Sequence, residues 1–341
     1  ILTKNGQMIV DKGVTLTRPL IMRLSFYCVL EVGIEDPDEP KDPETPHFIP
    51  AYSQKVKASK EFQTFQFDHS FVLNSLKSSM EGYVFHNQPL DTDDLLEQTV
   101  KLFNSCKTSL ELFDMLHNMR AYDDSTHAHS LNVALICRRI GKWLKVDAAT
   151  LDTLTLCGLL HDIGKLKIPD EILNKPGKYT DEEFDLVKRH TKFGYELLKP
   201  LNIDPHIKKA ALLHHERCDG SGYPLKATQK DLDDFSMVVA IADVYDAMTA
   251  ARSYRAPLCP FQVIERFEQE GLQKYKPKFI LTFLQHIAST YQNNRVLLSN
   301  GQSANIVMLN QQHLARPIVQ LNDNSCIDLS TRLDLHIQSI L

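Results

Sequence analysis

Apolar side chains recur at three- and four-residue steps through much of the chain, as at Leu95, Leu96, Val100 and Phe103, then Leu110, Leu112, Phe113 and Leu116. That spacing fills one face of a helix and predicts packed helices from about Tyr52 to Met119. Val133, Ile136, Cys137, Ile140 and Leu144 form a further helical stripe. Thr180-Asp181-Glu182-Glu183 reads as a capping box, in which hydroxyl and carboxylate satisfy opposite orphan amides at a helix start. After Tyr291 the pattern changes. Val296-Leu297-Leu298, the Asn300-Gly301 turn and Ile306-Val307-Met308 predict a hairpin, and Pro317-Ile318-Val319 a further strand. At the other end, Asn5-Gly6 is a turn signal, and Leu16 to Leu30 is apolar enough for a helix and a strand. Glu35 to Pro50 carries five prolines among clustered acids and predicts a linker. The expected fold is mainly α. It comprises a small mixed α/β N-terminal segment with its linker (1–50), a helical connecting region (51–119), a helical domain (120–292) and a small β appendage (293–341).

Composition narrows the partners. The 341 residues, 43% of them apolar, suffice for one large domain and smaller additions. A formal charge of −5 provides no global basic field, which argues against duplex nucleic acid as a main partner. A small phosphate ligand needs only a local cluster of cations. Seven scattered cysteines without CxxC pairing suit a reducing, cytoplasmic setting. No stretch approaches the roughly 18 consecutive apolar residues of a membrane span. Ile1-Leu2-Thr3-Lys4 is not a signal peptide, and the missing initial Met suggests a trimmed chain.

Histidine changes the picture most. Seven of fourteen lie between His127 and His215, several beside carboxylates, as in His161-Asp162 and His214-His215-Glu216. Imidazole nitrogens and carboxylate oxygens suit Fe, Mn, Zn or Ni. A lone histidine on an apolar helix is more often a satisfied core residue. Here, however, His161-Asp162 ends the apolar run Leu156-Cys157-Gly158-Leu159-Leu160. Burying a charge there costs several kcal/mol unless it is paired or metal-bound, so the metal reading is preferred.

His161-Asp162-Ile163-Gly164-Lys165 resembles the HDxGK core of the HD-domain metal phosphohydrolases. His214-His215-Glu216-Arg217-Cys218-Asp219-Gly220-Ser221-Gly222-Tyr223-Pro224 is similar to the HHExxDGxGYP stretch of the HD-GYP branch. Asp243-Val244-Tyr245-Asp246-Ala247 and Arg252-Ser253-Tyr254-Arg255 resemble that branch's closing segments, so the likeness runs from Asp123 to near Pro257. It implies a helical catalytic domain with two divalent ions, Fe or Mn preferred. His129, His161, Asp162 and Asp243 would hold one ion and His190, His214 and His215 the other, with Asp162 bridging. A bridging water would lose its proton near neutral pH and attack phosphorus in line. Lys165, one helical turn from His161, would face the scissile phosphate, while Gly222 and Tyr223 would shape the substrate pocket. Arg252 and Arg255 would meet phosphates or guanine. The implied reaction is hydrolysis of cyclic di-GMP to pGpG, with continuation to GMP left open. Cyclic GMP-AMP is the alternative substrate. A mononucleotidase and a catalytically weak receptor or interaction module are further rivals, and a homodimer or signalling partner protein is compatible with the reading.

Some positions depart from the family. Certain members place a third-metal glutamate four residues before the first histidine, where this chain has Ser125, and Asp124 is one step off. His127 would be turned roughly 200° from His129 on a helix and is read as a non-ligand. Cys218 replaces a frequent tryptophan and Arg255 a frequent lysine. The stretch from Asn5 to Leu24 resembles the small N-terminal segment often attached to such domains.

Overall fold

The structure, a computed structural model, describes residues 52–119, 125–175, 177–250 and 258–341. The expected N-terminal segment, Asp123, Asp124, Arg252 and Arg255 lie outside them. The described residues before the site form α1 (Tyr52–Ala58), α2 (Lys60–His86), α3 (Thr92–Ser105) and α4 (Ser109–Met119). Ser59 and Asp91 cap α2 and α3 by accepting the amides of Phe62 and Asp94. The inward face of α3 differs in detail from the expected stripe: Leu95, Thr99, Leu102 and Phe103 are buried, whereas Leu96 and Val100 are half-buried. Thr99 tolerates burial because its hydroxyl donates to the Leu95 carbonyl at 2.7 Å.

Next come α5 (Thr126–Trp143) and α6 (Ala148–Leu160), packed on each other, followed by a 3₁₀ turn over Ile163–Lys167 and α7 (Asp170–Leu173). Helices α8 (Asp181–Lys188), α9 (His190–Leu198), α10 (Pro205–Leu213) and α11 (Asp234–Thr249) follow. The Thr180–Glu183 capping box opens α8 as its sequence predicts. Val133, Ile136, Cys137 and Ile140 of α5 are fully buried. The runs Leu154–Leu160 in α6 and Ser236–Asp243 in α11 are buried on every side. A helix that is apolar all round belongs at the centre, and α11 packs against both α5 and α6 there. The site's carboxylates therefore project from the deepest elements.

Helices α12 (Pro260–Glu270) and α13 (Pro277–Thr290) lead to five short strands: β1 (Arg295–Leu298), β2 (Ser303–Met308), β3 (Ile318–Leu321), β4 (Cys326–Asp328) and β5 (Ile337–Ile340). They make one antiparallel sheet in the order β4-β3-β2-β1-β5. Val296 pairs with Ala304, and that alternation buries Val296, Leu298, Ala304 and Ile306. The appendage is thus larger than the predicted hairpin and third strand. Arg316 bridges to Glu265 of α12 at 2.7 Å, and Glu268 accepts the Leu314 amide at 2.9 Å, which fixes this sheet to the helical part. Among the described residues, no helix is long and apolar enough to cross a membrane.

Candidate metal centre

Helix ends deliver most of the expected ligands. His129 stands in the first turn of α5, His161 caps the end of α6, His190 begins α9, and His214-His215 follow α10. Asp243 comes from the middle of α11. The structure gathers these residues into two groups, Asp162 with His190, His214 and His215, and His129 with His161 and Asp243. Within each group the candidate ligand atoms lie within 4.8 Å of one another. His127, Cys218 and Ser125 belong to neither.

Backbone carbonyls set three of the imidazoles. Nδ1 of His161 lies 2.7 Å from the Gly158 carbonyl, Nδ1 of His190 2.7 Å from that of Val187, and Nδ1 of His214 2.9 Å from that of Ala210. A carbonyl only accepts, so each Nδ1 carries the hydrogen and each ring turns its Nε2 inward. Those Nε2 atoms converge on Asp162. Its Oδ2 is 3.3 Å from His161 Nε2 and 3.6 Å from His129 Nε2, while Oδ1 is 3.3 Å from His190 Nε2 and 3.6 Å from His214 Nε2. The two oxygens of one buried carboxylate thus face the two groups separately. His161 Nε2 and Asp162 Oδ1 are buried without a hydrogen-bond partner. Lone pairs facing one another in a dry interior are costly unless a cation lies between them, so the donor set fits a metal.

Electrostatics agrees with that fit. Burial holds the His190 pKa down at about 3, and burial likewise lowers His214 and takes His215 well below the usual imidazole value. These rings are neutral at physiological pH, as ligands must be. Burial opposes the charge of Asp162, but Lys165 and then His161 outweigh it and keep the carboxyl well below the ordinary range. Asp243 behaves alike, with His129 as the main opposing partner. For His129 burial would lower the pKa, yet the Asp243 and Asp246 carboxylates lift it to about 9.

Asp246 shares in that rise with Asp243. It accepts from His129 Nδ1 at 2.8 Å, while His129 Nε2 lies 3.0 Å from Asp243 Oδ1. Where three of the five histidines are oriented by the backbone, His129 is oriented by a carboxylate, which raises ligand basicity. Asp246 was not singled out from sequence; its place one turn beyond Asp243 on the same helix was the available signal.

Two expectations change in geometry. Lys165 is not one α-helical turn from His161, because the chain leaves α6 and tightens into the 3₁₀ turn. Its Nζ lies 2.5 Å from Asp162 Oδ2. Glycine lets this turn sit close to α9: a Cβ on Gly164 would stand 1.9 Å from the His190 carbonyl oxygen and 2.4 Å from the Gly194 nitrogen. Ser125, expected one turn back on the helix face of His129, is the N-cap of α5, with its hydroxyl accepting the Ala128 amide at 3.2 Å.

The GYP loop lies against the second group. Tyr223 stacks on His215, with centroids 4.7 Å apart and planes 30° from parallel. Gly222 is wedged under the HHE segment, where a Cβ would meet Glu216 Cα at 2.4 Å and the His215 carbonyl oxygen at 2.5 Å. Buried Glu216 then ties the loop down by accepting the amides of Leu225 at 2.6 Å and Ala227 at 3.0 Å. Sequence gave Glu216 no role beyond its place in the motif.

A family model described as HD domain matches residues 94–279, more than half of the chain. A cyclic di-GMP phosphodiesterase of Thermotoga maritima is 36% identical over 178 residues, 51% of this chain and 48% of the relative. The 3'3'-cGAMP-specific phosphodiesterase 2 of Vibrio cholerae is 34% identical over 183 residues, 53% of this chain and 35% of the relative. The chain therefore spans less than half the length of these curated relatives. Among solved structures, an HDG"Y"P protein from Bdellovibrio bacteriovorus aligns with a TM-score of 0.53 over 69% of this chain and 74% of its own, at 18% identity, a likeness of fold.

Proposed function

This chain belongs to the HD domain family, and from that premise we propose that it is a metal-dependent phosphodiesterase that opens a cyclic dinucleotide. Cyclic di-GMP is the preferred substrate in this reading and pGpG the first product. Cyclic GMP-AMP is the alternative, because both activities occur among the similar proteins. The observation that carries the reading is the convergence of imidazole Nε2 atoms on the two oxygens of one buried carboxylate.

His129, His161, Asp162 and Asp243 would hold one divalent ion, and Asp162, His190, His214 and His215 a second, Fe or Mn by preference. Such a pair supplies charge neutralisation at phosphorus and activates the attacking water. The protein contributes the rest. Asp162 holds the Lys165 ammonium at the edge of the centre, where it can meet a non-bridging phosphate oxygen as charge builds. Tyr223 walls the second group, and Gly222 lets the loop come that close. Arg252 and Arg255 are proposed to bind the phosphates or guanine edges. The chemistry is assigned to residues 120–292, supported by the helices of 51–119 and the sheet of 293–341.

Product analysis tests this. Anaerobically purified protein with its metals determined is incubated with cyclic di-GMP and, separately, cyclic GMP-AMP. Linear dinucleotide formed at about two ions per chain supports the enzyme and ranks the substrates. Full metal occupancy without product from either would overturn it in favour of a receptor or another phosphoester.

A further inference from the structure

Helix α8 carries a large apolar side chain with no place in the core. Phe184 is 43% exposed, although the same helix buries Val187. Isolated apolar residues are ordinary on surfaces and need no explanation. What distinguishes Phe184 is its contact. Its ring meets Tyr223 edge-on, centroids 6.4 Å apart at 77°, and Tyr223 is the residue stacked on His215. The exposed ring is therefore two aromatic contacts from a candidate metal ligand.

Its helix is tied at the start by side-chain bonds. The capping box fixes the start of α8, and the Glu183 carboxylate also takes the Lys175 ammonium at 2.8 and 2.6 Å. His190 follows the end of α8 closely, so one stretch of chain carries both the ring and a candidate ligand. Lys188, one turn on, sets its Nζ 4.5 Å from the Phe184 centroid while bridging to Asp185 at 2.7 Å. An exposed flat ring with a cation beside it suits a nucleobase, since any base offers a π face and a polar edge.

We propose that Phe184, with Lys188 at its side, is a stacking shelf for one nucleobase of the substrate. The inference rests on the cyclic-dinucleotide reading above and extends it to a binding residue outside the family motifs. With phosphate at the metal centre, a base reaching past Tyr223 would next meet the Phe184 ring that packs against it. Phe184 would act on substrate affinity and leave metal content to the histidines and carboxylates.

Steady-state hydrolysis of the preferred cyclic dinucleotide by metal-loaded Phe184→Ala, Phe184→Leu and Phe184→Trp proteins tests the shelf, with metal content and Tm measured on each. Alanine should raise KM roughly ten-fold or more while kcat and metal content stay at the wild-type level. Leucine, which can still pack on Tyr223 but offers no π face, should behave like alanine. Tryptophan should restore the wild-type KM. A wild-type KM in the leucine variant would overturn the shelf and reduce Phe184 to apolar filling. If wild-type protein turns over neither cyclic dinucleotide, the underlying reading fails and the shelf with it; normal wild-type turnover with an unchanged alanine KM removes the shelf alone.

Discussion

Replacing Asp246 by asparagine removes one negative charge while nearly keeping the side chain's shape. Two consequences for metal affinity then oppose each other. The carboxylate 2.8 Å from His129 Nδ1 makes that imidazole a stronger donor, and losing such a partner typically weakens metal binding about 10- to 100-fold. Asparagine retains an acceptor oxygen and belongs at the lower end; Asp246→Ala belongs at the upper end. Against this, the same carboxylate helps hold the His129 pKa at about 9, so at pH 7 an incoming ion must displace a proton. The gap between pKa and pH costs wild-type protein on the order of 100-fold in apparent affinity; Asp243 still raises His129 in the variant, so only about 10-fold of that is relieved. The two effects should therefore nearly cancel at pH 7, and the variant's deficit should open to 10-fold or more at about pH 9.5, where proton competition has ended. Competition for Mn²⁺ against a chromophoric chelator at both pH values, under anaerobic conditions, measures this. A deficit of equal size at both would refute the proposed dual role of Asp246, and so would no deficit at either.

Asp162→Ala should abolish metal retention and turnover together, because its two oxygens face separate ligand groups; elemental analysis showing a full metal complement with normal hydrolysis would count against the assignment. Gly164→Ala forces a Cβ against the His190 backbone, so thermal melts should show a loss of about 1–3 kcal/mol or more, with weakened occupancy of the His190 group; a wild-type Tm would contradict the close approach. In chelator-treated protein, His190, His214 and His215 have pKa values lowered by burial, so their stabilising contribution is complete above the unfolded imidazole value and is lost as pH falls. Below about pH 6.5 stability should drop by up to about 4 kcal/mol per pH unit while all three resist protonation, and His129 adds no slope there because it is charged in both states. Denaturant melts that superimpose between pH 6.5 and 4 would exclude this.

The candidate ligands were legible because chemistry and burial conflict there: an ionisable pair that ends an apolar helix has to be compensated, and motif order named the compensators. Their hydrogen-bonded supports were harder to read. Asp246 acts on a histidine 117 positions away, a separation no local pattern encodes. Gly164 looked like a motif glycine, yet its missing Cβ is what leaves room for the backbone of α9, a contact 26 positions away that no local pattern encodes. Periodicity also misjudged α3, since Thr99 hides its hydroxyl on its own backbone and takes the inward position that hydrophobicity assigns to Val100. Strands β4 and β5 escaped because Cys326-Ile327-Asp328 and Ile337-Gln338-Ser339-Ile340 lack the apolar runs that mark the comparably short β1 and β3, so tertiary pairing defines them.

The carbonyl-anchored imidazoles bear on which ion the protein carries. His161, His190 and His214 are each aimed by a carbonyl three or four residues back along the chain, so local backbone sets their direction before any ion arrives. Loading is then capture by a finished receptacle rather than a folding step driven by the metal. A receptacle of imidazole and carboxylate accepts several first-row ions, with affinities that follow the general order of the metals rather than their usefulness. Identity of a bound metal would then be a matter of supply: two samples of the same chain, loaded where different ions are abundant, would carry different ions behind one sequence.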